Sequence, residues 1–157
     1  MKFKLPEKVT LLGIVWSVKM EDALFNPAGD PRSAQLERLS KEIFIAKNFE
    51  VAEEGHKVEI EKQKSSHVTS FFHEMWHLYV GTIQEWKLDN EKYPVMFSLL
   101  ATKDQGKLEL STSTCRNSMR VALAGIDDYL KVTESQQKRI KFLIENTHFA
   151  FPGSDND

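Results

Sequence analysis

Nine residues constrain this chain more than any others: Phe71 to Tyr79 reads FFHEMWHLY, an apolar and aromatic segment interrupted by two histidines and a glutamate. Phe72, Trp76, Tyr79 and Ile83 recur at helical spacing, and Phe71, Met75 and Leu78 fill adjoining faces. Residues from His67 to about Ile83 are therefore expected to form a helix buried on most sides. A buried helix has no use for three ionisable groups unless something offsets their desolvation, and a bound cation does so. His73 and His77 stand four residues apart on one face, about 6 Å along the axis, where both imidazoles can ligate one zinc ion. Glu74 is rotated by about 100° from His73 and is placed to act on water as a general base. The H-E-x-x-H pattern thus supplies two metal-binding nitrogens and one carboxylate, the set that metal-assisted hydrolysis of a peptide bond requires. Gly81, four residues beyond His77 on the same face, is expected to leave room for metal, water or substrate.

Around this helix the chain reads as α+β. VTLLGIVWSVKM, Val9 to Met20, is β-branched and aromatic and reads as a first strand, and NPAGDPRS, Asn26 to Ser33, holds the breakers of a loop. Gln35 to Lys41 reads as a short helical turn or an extended connection. KEIFIAKN, Lys41 to Asn48, is a second strand with Ile43 and Ile45 on one face, able to pair with the first. HKVEIE alternates as a hairpin strand within the charged stretch Glu50 to Lys64. After Trp86, KLDNEKYP reads as a loop, and VMFSLLATKDQGKLELS as a strand, a DQG turn and a second strand, with a short helix at Val95 to Ala101 as the competing reading. Thr114 to Lys131 reads as a helix, and TESQ, Thr133 to Gln136, has capping-box spacing before a last helix, QQKRIKFLIENT. Phe149 to Asp157 reads as a frayed tail. The expectation is one domain over residues 1–150, with a flexible tail at 151–157.

Composition narrows the function classes. The formal net charge is −2, from 21 basic and 23 acidic residues, which gives no electrostatic reason to expect nucleic acid or lipid as partner. Lys138, Arg139 and Lys141 form one basic cluster, the residue-level basis for an alternative DNA-binding reading. No segment reaches the eighteen apolar residues of a membrane span. The single cysteine, Cys115, excludes an internal disulfide framework and fits a reducing, cytoplasmic compartment. His56, His67 and His148 stand outside the motif. Tyr79, Tyr93 and His67 are candidates to stabilise an oxyanion.

The order LLGIVWSV, the loop with Gly29 and Asp30, KEIFIAKN, SFFHEMWHLY and VALAGIDDYLK resembles the small zincin-like metallopeptidases of bacteria, phages and prophages related to the ImmA/IrrE group. The resemblance spans most of the chain, with HEMWH as its specific motif. It implies a small sheet packed on the active-site helix with C-terminal helices, His73 and His77 as zinc ligands, Glu74 as general base, and a protein or peptide substrate. A noncatalytic regulator that keeps the scaffold and binds a host protein is the alternative. Such families place a glutamate near the start of the helix after the active-site helix. In STSTCRNSMRVALAGIDDYL no acidic residue precedes Asp127, and register there points to Cys115 as third ligand, a thiolate being a good zinc donor. Glu109, Asp104, Glu85 and Asp89 are the other candidates.

Overall fold

The computed structural model describes residues 5–47, 66–103 and 110–152. The architecture is α+β: a five-stranded mixed sheet with helices packed on it. Strands β1 (Lys8–Leu11) and β2 (Ile14–Glu21) form an antiparallel hairpin. The expected first strand is thus two strands. Leu12 and Gly13 both adopt positive φ, 51° and 79°, the backbone of a tight turn whose twist matches that of the paired strands. The loop at 26–33 is closed by a two-stranded hairpin, β3 (Leu24–Phe25) with β4 (Pro31–Arg32). Next come β5 (Ala34–Glu37) and β6 (Glu42–Ala46), an antiparallel pair that makes 35–37 extended rather than helical. β6 runs parallel to β2, and Ile43 and Ile45 are both fully buried on the core face.

Helix α1 (Ser66–Ile83) is the centre of the molecule. Phe71, Phe72, Met75, Trp76, Leu78, Tyr79 and Val80 are all buried, against β5, β6 and the helices that follow. Its end is a two-bond C-terminal cap: the Glu85 amide donates to the Val80 carbonyl at 3.1 Å and the Gln84 amide to the Gly81 carbonyl at 3.2 Å. Gln84 takes the left-handed conformation usual for glycine there, with φ 58°. The chain reverses at this cap into a 3-10 turn, Trp86–Asp89, and then into α2 (Lys92–Thr102).

The presence of α2 corrects the strand expected at Val95 to Ala101. Pro94, Phe97, Ser98 and Ala101 are its buried residues, spaced as one helical face, and a proline is tolerated in the first turn, where its missing N–H has no partner to lose. The DQG turn, Asp104, Glu109, HKVEIE and His56 lie outside the described residues.

Helix α3 (Thr112–Ile126) opens on a capping box between Ser111 and Thr114. Helix α4 (Glu134–Glu145) opens on the one read from the sequence: Gln136 N–H donates to Thr133 Oγ1, and the Gln136 side chain accepts from the Thr133 amide. Strand β7 (Thr147–Ala150) then pairs antiparallel with β1 and completes the order β5-β6-β2-β1-β7. Phe149 and Ala150 are therefore sheet residues, not tail. No helix among the described residues is long and apolar enough to cross a membrane.

Candidate metal centre

One turn of α1 presents His73 and His77 side by side, with ring centroids 5.1 Å apart. The cap at Gln84 and the turn at 86–89 return the chain along this face, so that Asp89 and Glu91 reach the two rings. Glu91 Oε2 lies 3.1 Å from His73 Nε2, and Glu91 Oε1 lies 3.3 Å from His77 Nε2. Each Glu91 oxygen thus contacts one imidazole nitrogen, which gathers the three side chains at one point. Among the described residues, His73, His77 and Glu91 form the one group of potential ligands whose donor atoms all lie within 4.8 Å of each other, which makes it capable of coordinating a metal ion.

Asp89 completes the support from behind. Its Oδ1 is 2.6 Å from His77 Nδ1, a contact that favours the tautomer with the proton on Nδ1 and leaves Nε2, on the Glu91 side, for a metal. Burial lowers the pKa of His73, against the pull of Glu91, and so favours the neutral imidazole that a metal requires.

Glu74 stands beside the set without belonging to it, its Oε2 3.9 Å from His73 Nε2. Its side chain is buried and its carboxyl is pushed up to about 7, chiefly by desolvation, with Glu91 and Asp89 adding and His77 and Arg32 opposing. His73, Glu74, His77 and Glu91 line an open cleft of about 380 Å³ whose other wall is Pro31, Arg32, Ser33 and Ala34 from β4 and β5. The described residues thus hold a His-Glu-x-x-His and distal Glu arrangement consistent with a metallopeptidase active site.

Trp76 locks the returning segment. Its indole N–H donates to the Leu88 carbonyl at 2.7 Å, wholly within the core, one residue before Asp89. The same ring stacks on Tyr93, centroids 6.3 Å apart and nearly coplanar in orientation, and packs on Phe97 at 4.9 Å. Trp76, inside the motif, therefore fastens the segment that carries the distal carboxylates.

The structure gathers His73, Glu74 and His77 but does not bring Cys115 to them. Cys115 is fully buried on α3 and interacts with Tyr79, which is rotated about 200° round α1 from His77. α2 intervenes between α1 and α3, so the helix following the active-site helix is not the one that carries Cys115, and the carboxylate at its start is Glu91. Sequence reasoning misses Glu91 because it assigns Val95–Ala101 to a strand. Pro94, three residues later, was the available sign of a helix start. Glu85 is engaged instead by Arg139 and Gln136.

The space beside Gly81 is also not free for a ligand. A Cβ there would meet the Arg38 guanidinium at 2.2 Å, because that group lies over the helix, donates to the His77 carbonyl at 3.0 Å and stacks on Trp86. The oxyanion candidates lie elsewhere. Tyr79 OH is bound to Thr147 in the core, Tyr93 OH donates to the Lys131 carbonyl, and His67 Nε2 contacts the Lys47 carbonyl. No family model, curated protein or solved structure matches the chain.

Proposed function

We propose that this protein is a zinc-dependent hydrolase, a metallopeptidase that cleaves a peptide bond. One observation carries the reading: the Glu91 carboxylate contacts both imidazole Nε2 atoms, one with each oxygen, with the buried Glu74 carboxylate alongside. A zinc ion held by His73, His77 and Glu91 would supply Lewis-acid polarisation of the scissile carbonyl and acidify water. The remaining work falls to the chain. Asp89 fixes the His77 ring so that Nε2 faces the ligand set, and Glu74 accepts the proton of the attacking water and delivers it to the leaving amine. Partial desolvation makes Glu74 a stronger base than an exposed glutamate.

The noncatalytic alternative drew its support from a missing glutamate. With Glu91 directly before α2, that support is gone, and a structural zinc site has no use for the base at Glu74. The DNA-binding alternative is weakened by the ion pairs of Arg139 with Glu85 and of Lys138 with Glu134, and by the charge of Glu145 near Lys141. To the same proposal belong a phage or prophage origin and kinship with the ImmA/IrrE group, which rest on the sequence resemblance, a cytoplasmic setting, which rests on the single cysteine, and a single domain over 1–150, which rests on chain length.

The test is Glu74→Gln compared with the unmodified protein, each loaded with zinc and incubated with a broad peptide library. Cleavage by the unmodified protein alone, with equal zinc uptake by both, is the expected result. Equal cleavage by both refutes Glu74 as base, and absence of cleavage by either moves the assignment to a noncatalytic zinc protein.

A further inference from the structure

Arg32 faces the ligand set across the cleft, and it is the one lysine or arginine in the cleft wall. Its backbone is held in a closed hairpin: Arg32 pairs with Leu24, and the connecting turn is fastened by the Asn26 amide on the Asp30 carbonyl and the Asp30 amide on Asn26 Oδ1, both at 2.9 Å. Two carboxylates share the cleft, yet neither takes the guanidinium as an ion-pair partner; Glu91 is spent on the histidines and Glu74 is buried beside them. Among the described residues the Arg32 guanidinium makes no hydrogen bond and no close ion pair, acting on Glu74 only through space, so its donors are available to whatever enters the cleft.

Those donors form a planar fork that matches a carboxylate in bidentate geometry. With a dication bound, the formal charges of the three carboxylates at the site, Glu74, Asp89 and Glu91, are offset by the metal and by Arg32, so an incoming anion meets no net negative charge. We propose that Arg32 is a specificity residue that binds a substrate carboxylate beside the scissile bond, so that the cleft selects peptides with an acidic side chain or a free C-terminal carboxylate at that position. This rests on the metallopeptidase reading.

The experiment uses the zinc-loaded full chain and a set of short phosphinic peptides. They carry Asp, Asn or Lys on one side or the other of the phosphinate, each with an amidated or a free C-terminus, and affinity is measured by calorimetry alongside zinc stoichiometry. The unmodified protein should prefer one carboxylate-bearing probe over its neutral twin by about tenfold, the scale of one charge-assisted pair at a solvent-open site. Arg32→Ala should abolish that preference without weakening zinc binding, and Arg32→Glu should turn it toward Lys. A preference that follows the amidated Asp probes assigns the ligand to a side chain, and one that follows the free terminus assigns it to the C-terminal carboxylate. Either supports the role of Arg32. No preference in the unmodified protein, or the same preference in Arg32→Ala, overturns the role while leaving the zinc site standing. Failure of every protein to take up zinc overturns the metallopeptidase reading itself, and the role of Arg32 with it.

Discussion

Trp76→Phe is the perturbation that most directly tests how the centre is assembled. The substitution keeps an aromatic ring against Phe97 but removes the N–H that reaches the Leu88 carbonyl at 2.7 Å. A buried acceptor deprived of its donor costs about 1–3 kcal/mol. Shrinking the ring leaves a cavity worth about 1–2 kcal/mol, a fraction of the 3–5 typical of truncating an aromatic to alanine. The sum, about 2–5 kcal/mol, is less than the stability of most domains of this size, so the variant should fold, with a midpoint lower by roughly 5–15 °C. The second effect is functional. Leu88 is the neighbour of Asp89, and loosening it frees Asp89 and Glu91 from the histidines, for which a zinc-affinity loss of about 10–100-fold is expected. Chelator competition measures that affinity, and urea titration measures stability separately. A thermodynamic cycle with Glu91→Gln separates positioning from general weakening: if Trp76 acts through Glu91, Trp76→Phe should cost little further affinity once Glu91 is gone. Full zinc affinity in Trp76→Phe, or equal losses in both backgrounds, refutes the reasoning.

Zinc titration of tag-free protein should saturate at one ion per chain, and Glu91→Gln should weaken binding at least tenfold, read by elemental analysis and chelator competition. Affinity should fall as pH is lowered, because protons compete for the imidazole lone pair of His73, whose buried ring holds its pKa below the usual histidine range. In metal-free protein Glu74 is a raised carboxyl: both states hold its proton at low pH, and at high pH the folded state carries a buried charge that the unfolded state does not. Stability is therefore lost as pH rises from about 4.5 to about 7, on the order of 3 kcal/mol, and Glu74→Gln should remove that loss, measured by urea melts across pH. Gly81→Ala should displace Arg38 from the His77 carbonyl and Trp86, a net destabilisation of about 1 kcal/mol after the helix-propensity gain of alanine, seen in thermal melts. Cys115→Ser should lower stability while leaving zinc affinity within about twofold, by the same two measurements.

What the sequence disclosed follows the strength of local signals. α1 was legible because seven core residues repeat at helical spacing around an unmistakable motif, and α4 because Thr133 and Gln136 cap it through their own side chains. β6 was legible from Ile43 and Ile45. The β1–β2 turn was hidden inside LLGIVW, where Leu12 takes a left-handed φ that its side chain does not advertise. α2 was hidden because VMFSLLA is apolar on several faces, and a short run of that kind has no period to separate strand from helix. That single ambiguity concealed the third member of the His73, His77 and Glu91 cluster: once Lys92 begins a helix, Glu91 becomes the carboxylate at its start. Arg38 over Gly81 was beyond reach, since it joins residues far apart in sequence through a contact that only the folded sheet creates.

The pairing of β7 with β1 has a consequence for synthesis. Lys8–Leu11 leaves the ribosome among the first residues of the fold, whereas Thr147–Ala150, which covers its free edge, emerges among the last. Until β7 is made, the nascent hairpin therefore shows an open row of backbone donors and acceptors beside apolar Val9 and Leu11, a template for pairing with a neighbouring chain. Slow elongation between β1 and β7 should prolong that exposure and raise the demand for a chaperone that shields extended strands.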